Sequence, residues 1–172
     1  MYQVSDASPW KNGQGQFTHA FIGGDCVDLQ LDVPGRGPVR ILAAGVGGKN
    51  TVTYWQKKSD QKENPMTYMV GNNAANATEF DVVKRLDSAK VAVDAGINTY
   101  TVLLKIPLKD IGLDKAQGDK IKGVVGVIYS DPSGTNRASR LYWHNKKTGL
   151  VSDVPSEARI DEKGLGMIEM DK

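Results

Sequence analysis

Acidic side chains along one short stretch are the part of this sequence best placed to do chemistry. The stretch GGDCVDLQLD holds Asp25, Asp28 and Asp32 with no basic residue among them. In an extended strand Asp28 and Asp32 point to the same face, because side chains alternate between the two faces. Such an acidic stripe suits a hard cation such as calcium, which binds six to eight oxygen atoms. Carboxylates that only keep a solvent-facing strand hydrated give the same pattern, and both interpretations remain open.

A second acidic pair lies near the end of the chain, in the stretch VSDVPSEARID. Asp153 and Glu157 stand there on either side of a proline, in what we expect to be a loop. Their carboxylates offer oxygen ligands for a cation, and they would equally suit ordinary solvated residues. The candidate calcium ligands are therefore Asp25, Asp28, Asp153 and Glu157.

Two neighbouring aromatic pairs, Tyr54-Trp55 and Tyr142-Trp143, could form a stacking platform for a sugar or a base. Adjacent residues of a strand point to opposite faces, so each pair should place one ring in the core. Tyr54 shares a face with the valine two positions before it, which predicts that Trp55 is the exposed ring. Trp143 shares a face with the leucine two positions before it, which predicts that Trp143 is buried and Tyr142 is exposed.

Nucleophilic catalysis has little support in this sequence. The histidines are His19 and His144, and no G-x-S-x-G stretch would present a serine nucleophile. The single cysteine, Cys26, opens an alternating strand between Asp25 and Asp28, and acidic neighbours do not activate a thiol. P-loop, H-E-x-x-H and EF-hand patterns are also missing from the sequence. We therefore predict that the protein is not an enzyme.

The composition is that of a globular domain. The 172 residues are 40% hydrophobic and 24% charged, and the net charge of +2 is too small to suggest nucleic acid as a partner. No apolar run approaches the roughly 18 residues that a membrane-spanning helix needs. A single cysteine also excludes an internal disulfide. We predict neither nucleic-acid binding nor membrane insertion.

Alternation of apolar and polar residues dominates the chain and predicts strands. In CVDLQLDV the apolar residues 27, 29, 31 and 33 share one face, as in a half-buried strand. Candidate strands are 2–4, 26–33, 39–43, 52–56, 67–70, 80–86, 90–93, 99–106, 123–129, 139–144 and 166–170. Only PLKDIGLDKA suggests a helical turn, near residues 108–113. About ten short strands predict an all-β, antiparallel β-sandwich, jelly-roll-like or immunoglobulin-like, with residues 1–172 in a single domain.

Four longer motifs follow one another along the chain: VSDASPWKN, FIGGDCVDLQLDV, VLLKIPLKDIGLDKAQGDKIKGVVGVIYSDPSG and SRLYWHN. In this order they resemble the family 9 carbohydrate-binding-module-like domains of the DOMON-like superfamily, over nearly the whole chain. The resemblance implies a jelly-roll-like sandwich located outside the cell, on its surface or in the periplasm, often with structural calcium. It also implies binding of the ends of glycan chains, clamped between two tryptophans.

The residues that would bind a glycan carry over only in part. Phe21, just before the acidic strand, corresponds to one clamping tryptophan, and Asp28 corresponds to an acidic residue that binds sugar hydroxyls. The loop expected to supply the second tryptophan holds Leu150 and Val151 instead. A haem-binding member of the superfamily would need Met and His ligands, and the sequence has them in no recognisable arrangement.

Two functional hypotheses follow. The first is a non-catalytic carbohydrate-binding module of a secreted or cell-surface protein, with the candidate binding residues Trp55, Trp10, Phe21 and Asp28. The second starts from the first strand, which is shortened to residues 2–4, as if the opening strands of the family were missing. Another chain can pair with an open strand edge of this kind. The alternative function is therefore a structural or assembly β-sandwich, without sugar binding, completed by a neighbouring subunit or partner domain.

Overall fold

Twelve β-strands form in the part of the chain that the computed structural model describes, which is residues 1–8, 10–114, 118–148 and 151–170. They are β1 (Tyr2–Ser5), β2 (Cys26–Val33), β3 (Gly37–Val46), β4 (Lys49–Gln56), β5 (Met66–Tyr68), β6 (Thr78–Phe80), β7 (Val82–Arg85), β8 (Lys90–Gly96), β9 (Thr99–Lys105), β10 (Lys120–Ser130), β11 (Arg137–Tyr142) and β12 (Gly166–Glu169). Each strand pair is antiparallel. The prediction of an all-β, antiparallel sandwich is confirmed, and the jelly-roll or immunoglobulin-like connectivity stays a prediction.

Helical segments are short and connect or cover the strands. The α-helix α1 (Val154–Ala158) is accompanied by 3₁₀ helices at Phe17–Ile22, Ala74–Asn76, Leu108–Ile111, Lys146–Thr148 and Glu162–Gly164. The predicted turn near residues 108–113 is confirmed, and it ends at Gly112, whose φ of 80° favours glycine. The expectation that this would be the only helical stretch is wrong. Helix α1 begins after Asp153, whose carboxylate accepts a hydrogen bond from the Ser156 amide and so caps the helix.

The strands form one large sheet, one small sheet and a hairpin. The large sheet has the order β11-β10-β2-β3-β4-β7, and the small sheet has the order β1-β9-β8. Strands β5 and β6 form the hairpin. Because β10 is long, its first residues pair with β12 and its last residues pair with β11.

Both faces of the large sheet are covered at its central strands, and this decides where the polar residues of those strands lie. One face packs against the small sheet, so that Val27 and Leu31 of β2 share the main core with Tyr100 and Val102 of β9. The other face packs against a second layer made of the 3₁₀ helix Phe17–Ile22, the β5–β6 hairpin and α1. A strand in the middle of such a sheet is buried on both sides. The polar side of β2 is therefore buried at Asp28 and Gln30, whereas Asp32 near the end of the strand is exposed.

The small sheet is narrower than the large sheet that it covers. At one side β8 packs against β4. At the other side the Tyr2 hydroxyl of β1 donates a hydrogen bond to the carbonyl oxygen of Asp28 in β2 (3.0 Å). Strands β10 and β11 lie beyond this point. Val125 and Val127 on the core-facing side of β10 are consequently only half-buried, whereas Ile128 on the opposite side is buried.

Candidate functional site

The tryptophan predicted to stack a sugar is buried. Trp55 is 1% exposed, and its indole Nε1 donates a hydrogen bond to the Tyr68 hydroxyl (3.1 Å). That hydroxyl in turn donates to the carbonyl oxygen of Thr18 (2.6 Å). Alternation assigned Trp55 correctly to the face opposite Tyr54, but the β5–β6 hairpin and the 3₁₀ helix Phe17–Ile22 cover that face. The prediction of an exposed Trp55 is therefore wrong.

The burial of Tyr142 and the exposure of Trp143 are the reverse of the prediction. Tyr142 is buried and its hydroxyl donates a hydrogen bond to Oδ2 of Asp28 (2.6 Å), whereas Trp143 is 53% exposed. Gly126 on the neighbouring strand makes room for the Tyr142 ring, since a Cβ there would overlap it. Trp143 lies where the small sheet does not reach. Both predictions are wrong, because alternation gives the face of a residue and not the extent of the opposite layer.

The other aromatic candidates keep little open surface. Phe21 is buried in the second layer. Trp10 is half-buried against the main core, and its Nε1 donates a hydrogen bond to Oδ1 of Asn50 (2.7 Å). In the loop expected to carry a second clamping ring, Leu150 lies outside the described residues and Val151 is exposed. The structure therefore does not bring the predicted glycan-binding residues together on one open surface.

Asp28 belongs to a buried ion pair and not to an exposed acidic stripe. Its Oδ2 lies 2.8 Å from Nη2 of Arg40, and the two side chains are 0% and 1% exposed. Gln30 and Tyr142 also donate hydrogen bonds to Asp28 (3.2 and 2.6 Å). Arg40 continues to α1, where its Nη1 donates to the carbonyl oxygen of Glu157 (2.8 Å). Burial raises the pKa of the Tyr142 hydroxyl, and the charge of Asp28 adds to the shift, so Tyr142 remains a hydrogen-bond donor.

The four candidate calcium ligands already have protein partners. Glu157 forms an ion pair with Arg137 (2.8 Å), and Asp153 caps α1. Asp25 accepts hydrogen bonds from two backbone amides (2.6 and 2.7 Å), and Asp28 is held by Arg40. Nowhere in the described ranges do three or more His, Cys, Asp or Glu side chains come together as a metal site requires. The described residues thus do not gather these four side chains at one site, and bound calcium stays a prediction.

The buried carboxyl of Asp25 is expected to make the stability depend on pH. Burial raises its pKa to about 6, and the nearby charge of Asp6 acts in the same direction. The pKa of an unfolded aspartate is about 3.9, so between these values the folded protein keeps a proton that the unfolded chain has lost. The stabilisation from this proton is therefore complete below about pH 4 and is lost as the pH rises through about 6.

Urea unfolding between pH 4 and pH 7 measures this dependence against Asp25→Asn, which cannot titrate. The free energy of unfolding of the natural protein, relative to that of the variant, should fall by up to about 1.4 kcal/mol per pH unit. A relative stability that stays constant over this range would contradict the prediction.

A wide polar cavity of about 840 Å³ lies beside the ends of β4 and β7. Two of the lysines near it are paired, Lys84 with Glu63 (2.8 Å) and Lys62 with Asp81 (3.3 Å). The ring that lines it, Tyr54, is buried. Neither a concentrated charge nor an open ring singles this cavity out as a binding site.

A continuous apolar surface extends over β10, β11 and the residue after β11, and it reaches Tyr2 of β1. We call this surface the open face. It consists of Tyr2, Val125, Val127, Leu141 and Trp143, which line a shallow cleft of about 280 Å³. Leu141 is 58% exposed, and strand pairing places it directly beside Val127. Large apolar side chains that are exposed together, and not singly, mark surfaces that other molecules cover.

The open face borders a strand edge that is unpaired among the described residues. The amide of Asp6, just after β1, donates to the carbonyl oxygen of Asn98 (3.0 Å), which places this amide on the β9 side. In an antiparallel pair the backbone groups of alternate residues point the same way. Those of Val4 therefore also face β9, while the N–H and C=O groups of Gln3 and Ser5 point outward.

Comparison with known proteins identifies no relative, since no family model, curated protein or solved structure matches the chain. The resemblance to family 9 carbohydrate-binding-module-like domains therefore stays a prediction. None of the helices in the described part of the chain has the length and apolar character needed to cross a membrane. Function must accordingly be inferred from the open face and the β1 edge.

Proposed function

We propose that this protein is a non-catalytic β-sandwich module that assembles with another protein through the open face. The observation that supports this most directly is that Leu141 and Trp143 are more than half exposed beside an edge of β1 that no described strand pairs with. Fully burying one large apolar side chain is worth about 1.5–3 kcal/mol. A partner that covers both residues therefore gains a substantial part of its binding free energy there.

The chemistry of the open face favours a protein over a sugar. A sugar site combines an exposed ring with several polar groups that converge on the hydroxyls. Around Trp143 the lining is apolar, with Val127 and Leu141 beside it. Lys146 also lines the cleft, but it already donates to the carbonyl oxygen of Tyr142 (3.0 Å). Aliphatic and aromatic side chains of a protein match this lining better than hydroxyl groups do.

The glycan hypothesis, by contrast, loses most of its predicted site. Trp55, Phe21 and Asp28 are buried, and Trp10 keeps only part of its surface. Glycan binding elsewhere on the surface stays a prediction from the resemblance alone. A location outside the cell or in the periplasm likewise stays a prediction from the resemblance alone.

Photo-crosslinking tests the proposal. The photoreactive residue p-benzoylphenylalanine at position Leu141 should capture one defined segment of a partner protein in the cells that make this module, as mapped by mass spectrometry. The same residue at Ile97, which is 93% exposed between β8 and β9, is the matched control and should capture none. Trp143→Ala should strongly reduce the Leu141 product, because it removes the largest apolar contact of the open face.

Two results would contradict the proposal. Equal cross-linking at Leu141 and Ile97 would show that the Leu141 product reflects exposure alone. Binding to a glycan array that Trp143→Ala abolishes would assign the open face to a sugar instead.

A further inference from the structure

We infer that the partner supplies an extended strand, which pairs with the outer edge of β1 and continues the small sheet over the open face, a step that rests on the proposed function. Two features of the surface meet at this place. The backbone groups of Gln3 and Ser5 point outward from β1, and the apolar side chains of Leu141 and Trp143 lie beside them. A single extended segment satisfies both.

The backbone of β1 sets the first requirement. Gln3 and Ser5 each direct an N–H and a C=O away from β9, and another extended backbone is the partner that matches such alternating groups. Strand β1 has the sequence YQVS, without the charged residue or proline that blocks pairing at protected edges. The opposite edge strand, β8, carries Lys90 and Asp94. Strand β1 is therefore the edge of the small sheet that is open to strand addition.

The open face sets the second requirement. A strand added to β1 would lie about 4.8 Å from it, above β10 and β11. Its residues opposite Tyr2 and Val4 would point at Leu141 and Trp143, because paired residues of neighbouring strands share a face. These positions require β-branched or aromatic side chains, and the alternate positions face solvent. The occupant is thus a short strand with strict alternation of apolar and polar residues.

A second copy of this chain does not meet these requirements. Antiparallel pairing of two β1 edges would place both small sheets in one layer and both large sheets in the other. Each large sheet extends past its own β1 through β10 and β11, so two copies would overlap there. The occupant is therefore a strand or hairpin of another protein, and that protein places no second large sheet next to β10 and β11.

Gln3→Pro tests the strand directly. Proline removes the outward N–H at this position and leaves the pairing with β9 intact, because that N–H does not face β9. Gln3→Ala keeps the N–H and is the matched control. We expect Gln3→Pro to reduce the Leu141 cross-link by about tenfold and Gln3→Ala to leave it unchanged. Circular dichroism should show the same thermal midpoint for both variants.

A covalently attached strand gives a second measurement. The tail TVTVKNG, placed before Met1, is designed to fold back through its Asn-Gly turn and set its valines opposite Tyr2 and Val4. The tail VTVTKNG has the same composition and turns its valines to solvent. Hydrogen exchange at the amides of Gln3 and Ser5 should slow by at least about tenfold with the first tail and much less with the second. The first tail should also block the Leu141 cross-link.

The outcomes distinguish failure of strand addition from failure of the proposed function. A Leu141 cross-link that survives Gln3→Pro, or amides that the first tail leaves unprotected, would overturn strand addition and leave binding of a partner at the open face intact. Protection by the first tail without any specific Leu141 product in cells would overturn the proposed function instead.

Discussion

Arg40→Met is expected to lower the free energy of unfolding by about 3–5 kcal/mol. The guanidinium neutralises Asp28 at 2.8 Å, in a place where neither side chain is more than 1% exposed. The substitution takes away the guanidinium that contacts this buried carboxylate, and the neutral donors Tyr142 and Gln30 cannot replace the charge. The carbonyl oxygen of Glu157 at α1 loses a donor as well. The substitution therefore weakens both the large sheet and the attachment of the second layer.

Urea unfolding followed by circular dichroism measures this loss. Arg85→Met is the matched control, since Arg85 is 58% exposed and lies 3.9 Å from Asp87. We expect it to change the stability by no more than about 0.5 kcal/mol. Combining Asp28→Leu with Arg40→Met should recover part of the loss, because neither charge of this pair is then left buried without the other. A loss at Arg40 no larger than the loss at Arg85 would mean that the buried pair contributes nothing.

Alternation of apolar and polar residues was enough to place most strands. The predicted strand 26–33 is β2 with the same bounds, and 99–106 differs from β9 by one residue. The side-chain period belongs to the extended backbone itself, so a local pattern reveals it. The predicted strand 80–86 is instead divided at Asp81 between β6 and β7, which pair with different strands. A change of pairing partner leaves no trace in a local pattern.

Alternation could not show which faces are covered. Asp28 and Trp55 lie on the face opposite the main core, as predicted, but segments distant in sequence form a second layer over that face. One available signal was missed. Arg40 is a charged residue inside the apolar run VRILAAG, and a buried arginine requires a buried acidic partner. That requirement points to Asp28 as a core residue and away from a calcium or sugar ligand.

The same limit hides the open face. Leu141 and Trp143 have the spacing of core residues, and their side of the sheet is indeed the side that carries the main core. They are exposed because, among the described strands, the small sheet ends at β1. The width of a sheet depends on how many strands the whole chain contributes to it, and so no short stretch of sequence encodes it.

Trp55→Ala is expected to cost about 3–5 kcal/mol, because it removes a fully buried ring and leaves a cavity in the second layer. Trp55→Phe keeps most of the ring volume and removes the indole donor to Tyr68. It should cost about 1 kcal/mol for the hydrogen bond, with a small further loss from packing. Urea unfolding of both variants at one pH separates the packing term from the hydrogen-bond term.

The loss of stability in Trp143→Ala, compared with that in Trp55→Ala, shows which of the two tryptophans is buried. The Trp143 ring is 53% exposed, so its removal should cost about 1 kcal/mol or less. Alternation alone predicts the opposite ranking, with Trp143 buried and Trp55 exposed. If Trp143→Ala were the more damaging change, the open face would be part of the core. The proposal of a partner bound there and the proposal of an added strand would then both be wrong. If Trp55→Ala is the more damaging change, loss of partner binding in Trp143→Ala cannot be attributed to unfolding, because that variant keeps nearly all of its stability.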